Sequence, residues 1–351
     1  MNSVPILFAP NLHCGGGLVL LKALLDSWEP AQPLLAFLDQ RVRDIIVVPS
    51  AITVQWVAPR VSARIAAQKR LRAESSEATI VLCFNGLPPL LANRGHVVVF
   101  QQNRLHLVAL ARGEYALKVA LRLSFERFVS HALRHRVQRY VVQTPSMGRA
   151  LANWLGEGKD GAAEIAVVPF TDTLGVQVNG RQTEKRIEWD FIYVADGMPH
   201  KNHRTLCEAW RLLADEGIRL RLALTLAPEE THLLELIANL RDNSAVEIVN
   251  LGRLPHDQVL AMYGRTRALI FPSVTESFGL PLLEARQAGL PIIASELDFV
   301  RDVCSPAQTF DPHSAVSIAR AVRRFLGLDE VIVEPVTARA FWDHVMSVAS
   351  R

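Results

Sequence analysis

Two carboxylates bracket a short segment equipped to hold a sugar and a phosphate. Glu276 and Glu284 stand with seven residues between them in Glu-Ser-Phe-Gly-Leu-Pro-Leu-Leu-Glu. A carboxylate accepts two hydrogen bonds from a vicinal diol, the group that ribose and hexoses present. Just upstream, Ala-Leu-Ile-Phe-Pro-Ser at 268–273 reads as a buried strand. Pro281 suits the start of a helix, where its missing N–H would be unpaired anyway. The N–H groups of Ser277, Phe278, Gly279 and Leu280 then converge at the positive end of that helix, a seat for a phosphate or a sugar hydroxyl. On chemistry alone a capped surface helix and a ligand site remain equal readings.

Other residues offer weaker chemistry. His200 and His203 flank Lys201, but no third ligand accompanies them, so loop histidines and no metal are expected. The cluster Asn-Leu-His-Cys-Gly-Gly-Gly at 11–17 follows a first strand, yet it lacks the spacing of a dinucleotide fingerprint. A dehydrogenase is therefore disfavoured, and a tight turn is the plain reading. Asn85-Gly86 and the stretch Gln101 to His106 follow strands, where α/β proteins place ligand groups.

The segment Pro-Ser-Val-Thr-Glu-Ser-Phe-Gly-Leu-Pro-Leu-Leu-Glu-Ala, followed by Ala-Gly-Leu-Pro-Ile-Ile-Ala-Ser, resembles the donor-site signature of the large retaining glycosyltransferase family often called family 4, glycosyl transferases group 1. The resemblance implies the GT-B fold, an α/β architecture of two facing Rossmann-like domains with a cleft between them. It implies that Glu284 binds ribose, that Glu276 contacts the transferred sugar, and that the N–H groups of Ser277, Phe278, Gly279 and Leu280 hold sugar and diphosphate. Tyr-Val-Ala-Asp-Gly-Met-Pro-His-Lys-Asn-His at 193–203 is similar to the family's first donor-domain strand and loop, which makes Lys201 the diphosphate lysine. The family generally carries an Arg five residues before that lysine; here stands Asp196. Arg253 is the candidate replacement, against a plain solvated arginine. Gly252 to Leu254 resemble the loop that meets the nucleobase. Gly15, Gly16 and Gly17 would face the donor phosphates across the cleft, and His106 is the candidate for a histidine near the reacting sugar.

The implied reaction moves a hexose from a nucleoside-diphosphate sugar to a hydroxyl of a saccharide acceptor with retention, in bacterial surface polysaccharide or lipopolysaccharide assembly. It needs no cofactor and no metal. Two alternatives stay open: a catalytically weak nucleotide-sugar-binding partner of another transferase, and a GT-B sugar-nucleotide epimerase or hydrolase.

These residues need a scaffold. Short apolar strands alternate with amphipathic helices along the chain, the pattern of parallel sheets covered by helices. Expected strands are Ile6–Phe8, Ile45–Val48, Thr79–Phe84, Val97–Phe100 and Tyr140–Gln143, then Phe191–Ala195, Leu220–Leu226, Val246–Val249, Ala268–Phe271 and Pro291–Ala294. Helices are expected over Leu18–Trp28 and most of Leu105–His135. The division follows: an acceptor-side domain over 1–170, a linker over 171–186, and a donor-binding domain over 187–335. A C-terminal helix over 336–351, carrying Phe341 and Trp342, is expected to pack against a domain surface, back on the first domain or on the second.

At 351 residues the chain has room for two cores. Four scattered cysteines, the absence of a signal-like leader and the lack of an apolar run of about 18 residues point to a cytoplasmic protein. Charge divides unevenly: residues 1–170 hold 19 Lys and Arg against 11 Asp and Glu, and the remainder 19 against 24. The stretch 104–139 holds eight Lys and Arg against Glu114 and Glu126, interleaved with apolar residues. A basic amphipathic surface on anionic lipid at the inner membrane face, with a lipid-linked saccharide as acceptor, and a merely solvated helix face weigh equally. No recognition motif supports nucleic acid.

Overall fold

The computed structural model describes residues 4–29, 31–84, 86–107, 115–156, 163–170 and 187–328. The expected linker 171–186, the C-terminal segment 336–351 and Asn85 lie outside the described residues.

The first domain begins with β1 (Ile6–Ala9), α1 (Gly15–Asp26), β2 (Leu34–Asp39) and β3 (Ile52–Val57). It continues through α2 (Val61–Glu74), β4 (Ile80–Cys83), β5 (His96–Phe100), α3 (Leu117–Ala132), β6 (Arg139–Val142), α4 (Pro145–Leu155) and β7 (Glu164–Val167). All strand pairs are parallel, in the order β3-β2-β1-β4-β5-β6-β7. Helices cover both faces of such a sheet, so its central strands are apolar throughout rather than alternating. β1 is buried over its whole length, with Phe8 opposite Phe37 on one side and Cys83 on the other.

The second domain repeats the plan. It runs β8 (Trp189–Tyr193), α5 (His203–Asp215), β9 (Arg221–Leu224), α6 (Thr231–Asn243), β10 (Glu247–Asn250), α7 (His256–Tyr263) and β11 (Thr266–Phe271). After these come α8 (Leu280–Gln287), β12 (Ile292–Ser295), α9 (Asp298–Arg301), β13 (Gln308–Phe310) and α10 (Ala315–Phe325). The parallel order is β10-β9-β8-β11-β12-β13. Leu269 of β11 stands between Ile192 of β8 and Ile292 of β12 in the centre of one continuous core.

Strand order reverses direction between β1 and β4 in the first sheet and between β8 and β11 in the second. At such switch points the connections leave to opposite faces and open a crevice beyond the carboxyl ends of the strands. The glycine cluster follows β1, the Lys201 loop follows β8, and the Glu276 segment follows β11. Topology thus delivers three of the sequence candidates to two facing crevices.

Two local expectations need correction. Ile45–Val48 is not a strand: Ile45 and Val47 are exposed, and the sheet instead takes Leu34–Asp39 and Ile52–Val57. The six-residue run Leu-Leu-Ala-Phe-Leu-Asp is apolar enough to be buried on both faces, whereas the 45–48 run stops at Pro49, which has no N–H for a ladder. Gly15, Gly16 and Gly17 are not a loop but the first turn of α1, with Gly15 at φ +69°. The stretch 105–135 is mostly helical where described, as expected: a 3-10 turn at Arg104–His106, α3 over Leu117–Ala132 and another 3-10 turn at Arg134–Arg136.

Candidate active site

Lys201 is fixed by its loop before it meets any ligand. Pro199–Lys201 form one 3-10 turn, and Asn202 follows at φ 62°, the one positive φ among the described non-glycine residues. Left-handed backbone is tolerated by Asn when its amide is held. Here Asn202 Nδ2 donates to the carbonyls of Pro272 (3.1 Å) and Pro312 (2.7 Å), and Val274 N donates to His200 O at 2.9 Å. The loop after β8 is therefore laced to the loop after β11. Tyr193 completes the floor, its hydroxyl donating to Lys201 O at 2.8 Å and lying 2.9 Å from Ser273 Oγ.

In that frame Lys201 Nζ donates to Glu276 Oε1 at 2.6 Å, with both side chains largely buried. Burial works against the ammonium, but the carboxylates of Glu276 and Asp196 outweigh it and hold the lysine above its ordinary pKa. Asp196, where the resembled family has an arginine, accepts from Met198 N at 3.2 Å and acts electrostatically on Lys201. The pocket around Lys201 is consequently acidic before a ligand arrives. His200 and His203 are both pushed down by burial, His203 to about 4, so both rings are neutral at pH 7. Among the described residues no group of three or more His, Cys, Asp and Glu is arranged to hold a metal.

Glu284 sits one turn into α8 and is buried. Its two oxygens are separately engaged: Tyr263 OH donates to Oε2 at 3.0 Å, and His256 Nε2 lies 2.9 Å from Oε1. Burial next to that carboxylate drives the Tyr263 phenol well above its ordinary pKa, so it stays a donor. Neither partner stood out in the sequence. Both come from α7, and the signal that would have found them is the i, i+7 spacing of His256 and Tyr263, two turns apart on one face.

Gly279 starts α8 at φ +76°, a conformation that L side chains rarely adopt. The N–H groups of Ser277, Phe278, Gly279 and Leu280 have no acceptor among the described residues, and neither do those of Gly15, Gly16 and Gly17. The two helix starts face one another: a Cβ on Gly16 would lie 2.9 Å from Leu280 Cδ1. Two sets of unpaired N–H donors, each at a positive helix end, thus oppose each other across the cleft.

The first domain also reaches over. Thr144 Oγ1 donates to Ser277 O at 3.1 Å while accepting from Met147 N as the cap of α4. Arg104, half-buried, donates to Glu276 O at 3.4 Å, and its Nε is buried without a partner among the described residues. Ser146 N donates to Asp302 Oδ2 at 2.8 Å, and Arg149 pairs with Asp298 at 3.1 Å. Arg104 thus leaves the basic surface expected over 104–139 and enters the cleft.

Other candidates fall differently. Arg253 borders a cavity of about 490 Å³ between the domains, with Lys22, Leu18 and Ile46 from the first and Leu254 and His256 from the second. Gly252 turns that loop at φ +76°. Lys22, absent from the sequence candidates, brings a second cation to that cavity. His106 is buried, its Nε2 3.1 Å from Glu126 Oε2 and 3.2 Å from Asn103 Nδ2, so it is tied to α3.

Comparison with known proteins matches residues 179–333 to the family model described as glycosyl transferases group 1. The second domain is a glycosyl transferases group 1 domain. Over 153 residues the chain is 31% identical to O-antigen chain mannosyltransferase B of Escherichia coli, covering 42% of this chain and 39% of that protein. The chain thus matches well under half the length of that relative. Among solved structures, sucrose-phosphate synthase from Thermosynechococcus elongatus aligns with TM-score 0.65 at 16% identity, over 92% of this chain and 90% of that one. HepE of Anabaena, solved in complex with UDP and glucose, aligns with TM-score 0.63 at 12% identity over the same shares. These alignments span both domains and establish the GT-B fold for the chain, with the group 1 domain as its second half.

Proposed function

We propose that the chain is a retaining glycosyltransferase that moves a hexose from a nucleoside-diphosphate sugar to a hydroxyl of a saccharide acceptor. The observation that carries the reading is the Lys201–Glu276 pair set between two opposed helix starts, at the crevice of a group 1 domain. The diphosphate lies between the N–H groups of Gly15–Gly17 and those of Ser277–Leu280, with Lys201 beside it. Glu284 exchanges one of its present contacts for the ribose diol, and the nucleoside occupies the cavity bordered by Lys22, Arg253 and His256.

In the reaction the bond between the anomeric carbon and the phosphate oxygen breaks, and a bond from the acceptor oxygen to that carbon forms on the same face. The acceptor's proton passes to the departing phosphate. Lys201 and the helix starts stabilise the charge that gathers on that phosphate, the kind of preorganised electrostatics that supplies the largest share of many rate enhancements. Glu276 positions both Lys201 and the sugar hydroxyls. Arg104 approaches the same segment from the first domain and adds a positive charge there. Closure of the first domain over the site excludes water.

The relatives that carry O-antigen chain mannosyltransferase names favour a role in surface polysaccharide assembly; a saccharide acceptor lipid-linked at the inner membrane face is part of the same proposal. The test is donor-dependent release of free nucleoside diphosphate from UDP-, GDP-, dTDP- and ADP-hexoses in the presence of saccharide acceptors, with the anomeric configuration of the product read by NMR. Release without acceptor, or an inverted product, overturns the proposal. Asp196 favours one second reading, a nucleotide-sugar-binding partner of another transferase; donor binding without turnover on any acceptor would establish it.

A further inference from the structure

Helix α3 is amphipathic in the wrong sense for a helix lying on its own sheet. Leu117, Leu121, Phe125 and Phe128 follow one another at intervals of four, four and three residues, the spacing of a single helix face. They are 74%, 61%, 67% and 70% exposed, while Leu123 and Ser130 are the residues the helix buries. An exposed stripe of two Leu and two Phe is not the scatter of single apolar residues expected on any surface, and contiguous apolar patches of this kind mark interaction sites.

The flanks of the stripe identify what it meets. Lys118 and Arg122 border it on one side, Arg127 and His131 on the other, and Lys118, Arg122 and Arg127 form no ion pair among the described residues. Arg127, Phe128 and His131 also line an open groove of about 850 Å³ against Ala150, Asn153 and Trp154 of α4. An apolar stripe between basic flanks matches an anionic bilayer surface, where acyl chains receive the stripe and phosphates the cations. Sixteen residues make a helix about 24 Å long. No described helix is long and apolar enough to cross a membrane, so α3 lies flat in the interface.

We infer that α3 docks the protein on anionic lipid through Leu117, Leu121, Phe125 and Phe128, with Lys118, Arg122 and Arg127 on the phosphates. The placement suits a membrane-held acceptor: Tyr115, just ahead of α3, lies 3.3 Å by its hydroxyl from His200 Nδ1, next to Lys201. One end of the docking helix therefore reaches the mouth of the cleft. The inference deepens the reading of a lipid-linked acceptor, but its test needs neither donor nor acceptor.

The full chain is sedimented with phosphatidylglycerol–phosphatidylcholine vesicles and with phosphatidylcholine vesicles alone. Binding is expected to the first, to weaken with added salt, and to be far weaker to the second. The double variant Phe125→Ser/Phe128→Ser should lower partitioning by at least ~10-fold, and Lys118→Gln/Arg122→Gln/Arg127→Gln should remove the salt dependence. All these side chains are solvent-facing, so melting temperatures should hold; a variant that melts early is replaced by Leu121→Ser. No binding to anionic vesicles, or equal binding by wild type and the Phe double variant, overturns the inference. So does a concentration-dependent dimer of the wild type that the same double variant dissociates without any lipid effect. Loss of lipid binding with unchanged transfer to a soluble acceptor separates this surface from the donor site.

Discussion

Lys201 and Glu276 belong to loops leaving two adjacent strands, β8 and β11, and meet at 2.6 Å where the amide of Asn202 helps tie those loops together. Under the proposed function the pair meets the charge on a leaving phosphate, and each partner is costly to leave alone. Breaking one member of a buried ion pair strands the other charge, at ~3–5 kcal/mol for full burial.

Lys201→Ala is therefore expected to reduce kcat/KM for transfer by ~10²-fold or more and to lower the melting temperature. Lys201→Ala/Glu276→Ala should recover most of the stability and none of the activity. Initial rates and thermal melts on the wild type and the two variants check this; a single mutant with full activity would remove Lys201 from the mechanism.

Tyr263 and His256 satisfy the two oxygens of Glu284. Tyr263→Phe leaves a buried carboxylate oxygen with one partner fewer, at ~1–3 kcal/mol. The loss should fall on donor KM more than on kcat, because Glu284 is read as a binding group for ribose. Glu284→Ala should abolish the thermal shift given by the best nucleotide-sugar, and an undiminished shift would contradict that role.

Gly16 faces Leu280 so closely that any Cβ forces the leucine tip aside. Its backbone is helical and not left-handed, so Ala is good for the helix, by up to ~1 kcal/mol. Gly16→Ala should hold or raise the melting temperature while raising donor KM several-fold; Gly16→Val should do the latter much more strongly. A variant with unaltered donor affinity would show that α1 does not reach the phosphates.

His203 is buried against Tyr193, with ring centroids 4.8 Å apart and neither ring nitrogen partnered among the described residues. Burial pushes it down to about 4. Unfolded, it titrates near ~6.5, so between those values the unfolded chain binds the extra proton. Stability is full above that window and falls on acidification, by at most ~1.4 kcal/mol per pH unit. His203→Leu should flatten the difference between urea melts at pH 7 and pH 5. A wild type equally stable at both would refute the assignment.

Much of the second domain was legible because its signals are local. A strand, a proline-marked helix start and two carboxylates lie within Ala268–Glu284, and strand ends differ from expectation by a residue or two. The first domain was less so. Leu34–Asp39 carries no alternation to distinguish a buried strand from a helix segment, and three consecutive glycines look like a loop although they begin α1. His256, Tyr263 and Lys22 escaped notice, and Arg104 was read only as part of a basic surface, because each meets residues far along the chain.

The donor roles of Lys201, Glu276 and Glu284 are proposed from the family resemblance; by itself the sequence determined that two parallel α/β units exist and that a strand, a turn and a helix start lie around Glu276 and Glu284. Those are matters of residue type and short-range spacing. Tertiary structure alone decided that Lys201 pairs with Glu276, that Asp196 adds a second carboxylate beside it, that Gly16 confronts Leu280, and that α3 turns its apolar stripe outward. Such relations depend on which strands become neighbours and which helix face meets the sheet, and both are settled by packing across the whole core.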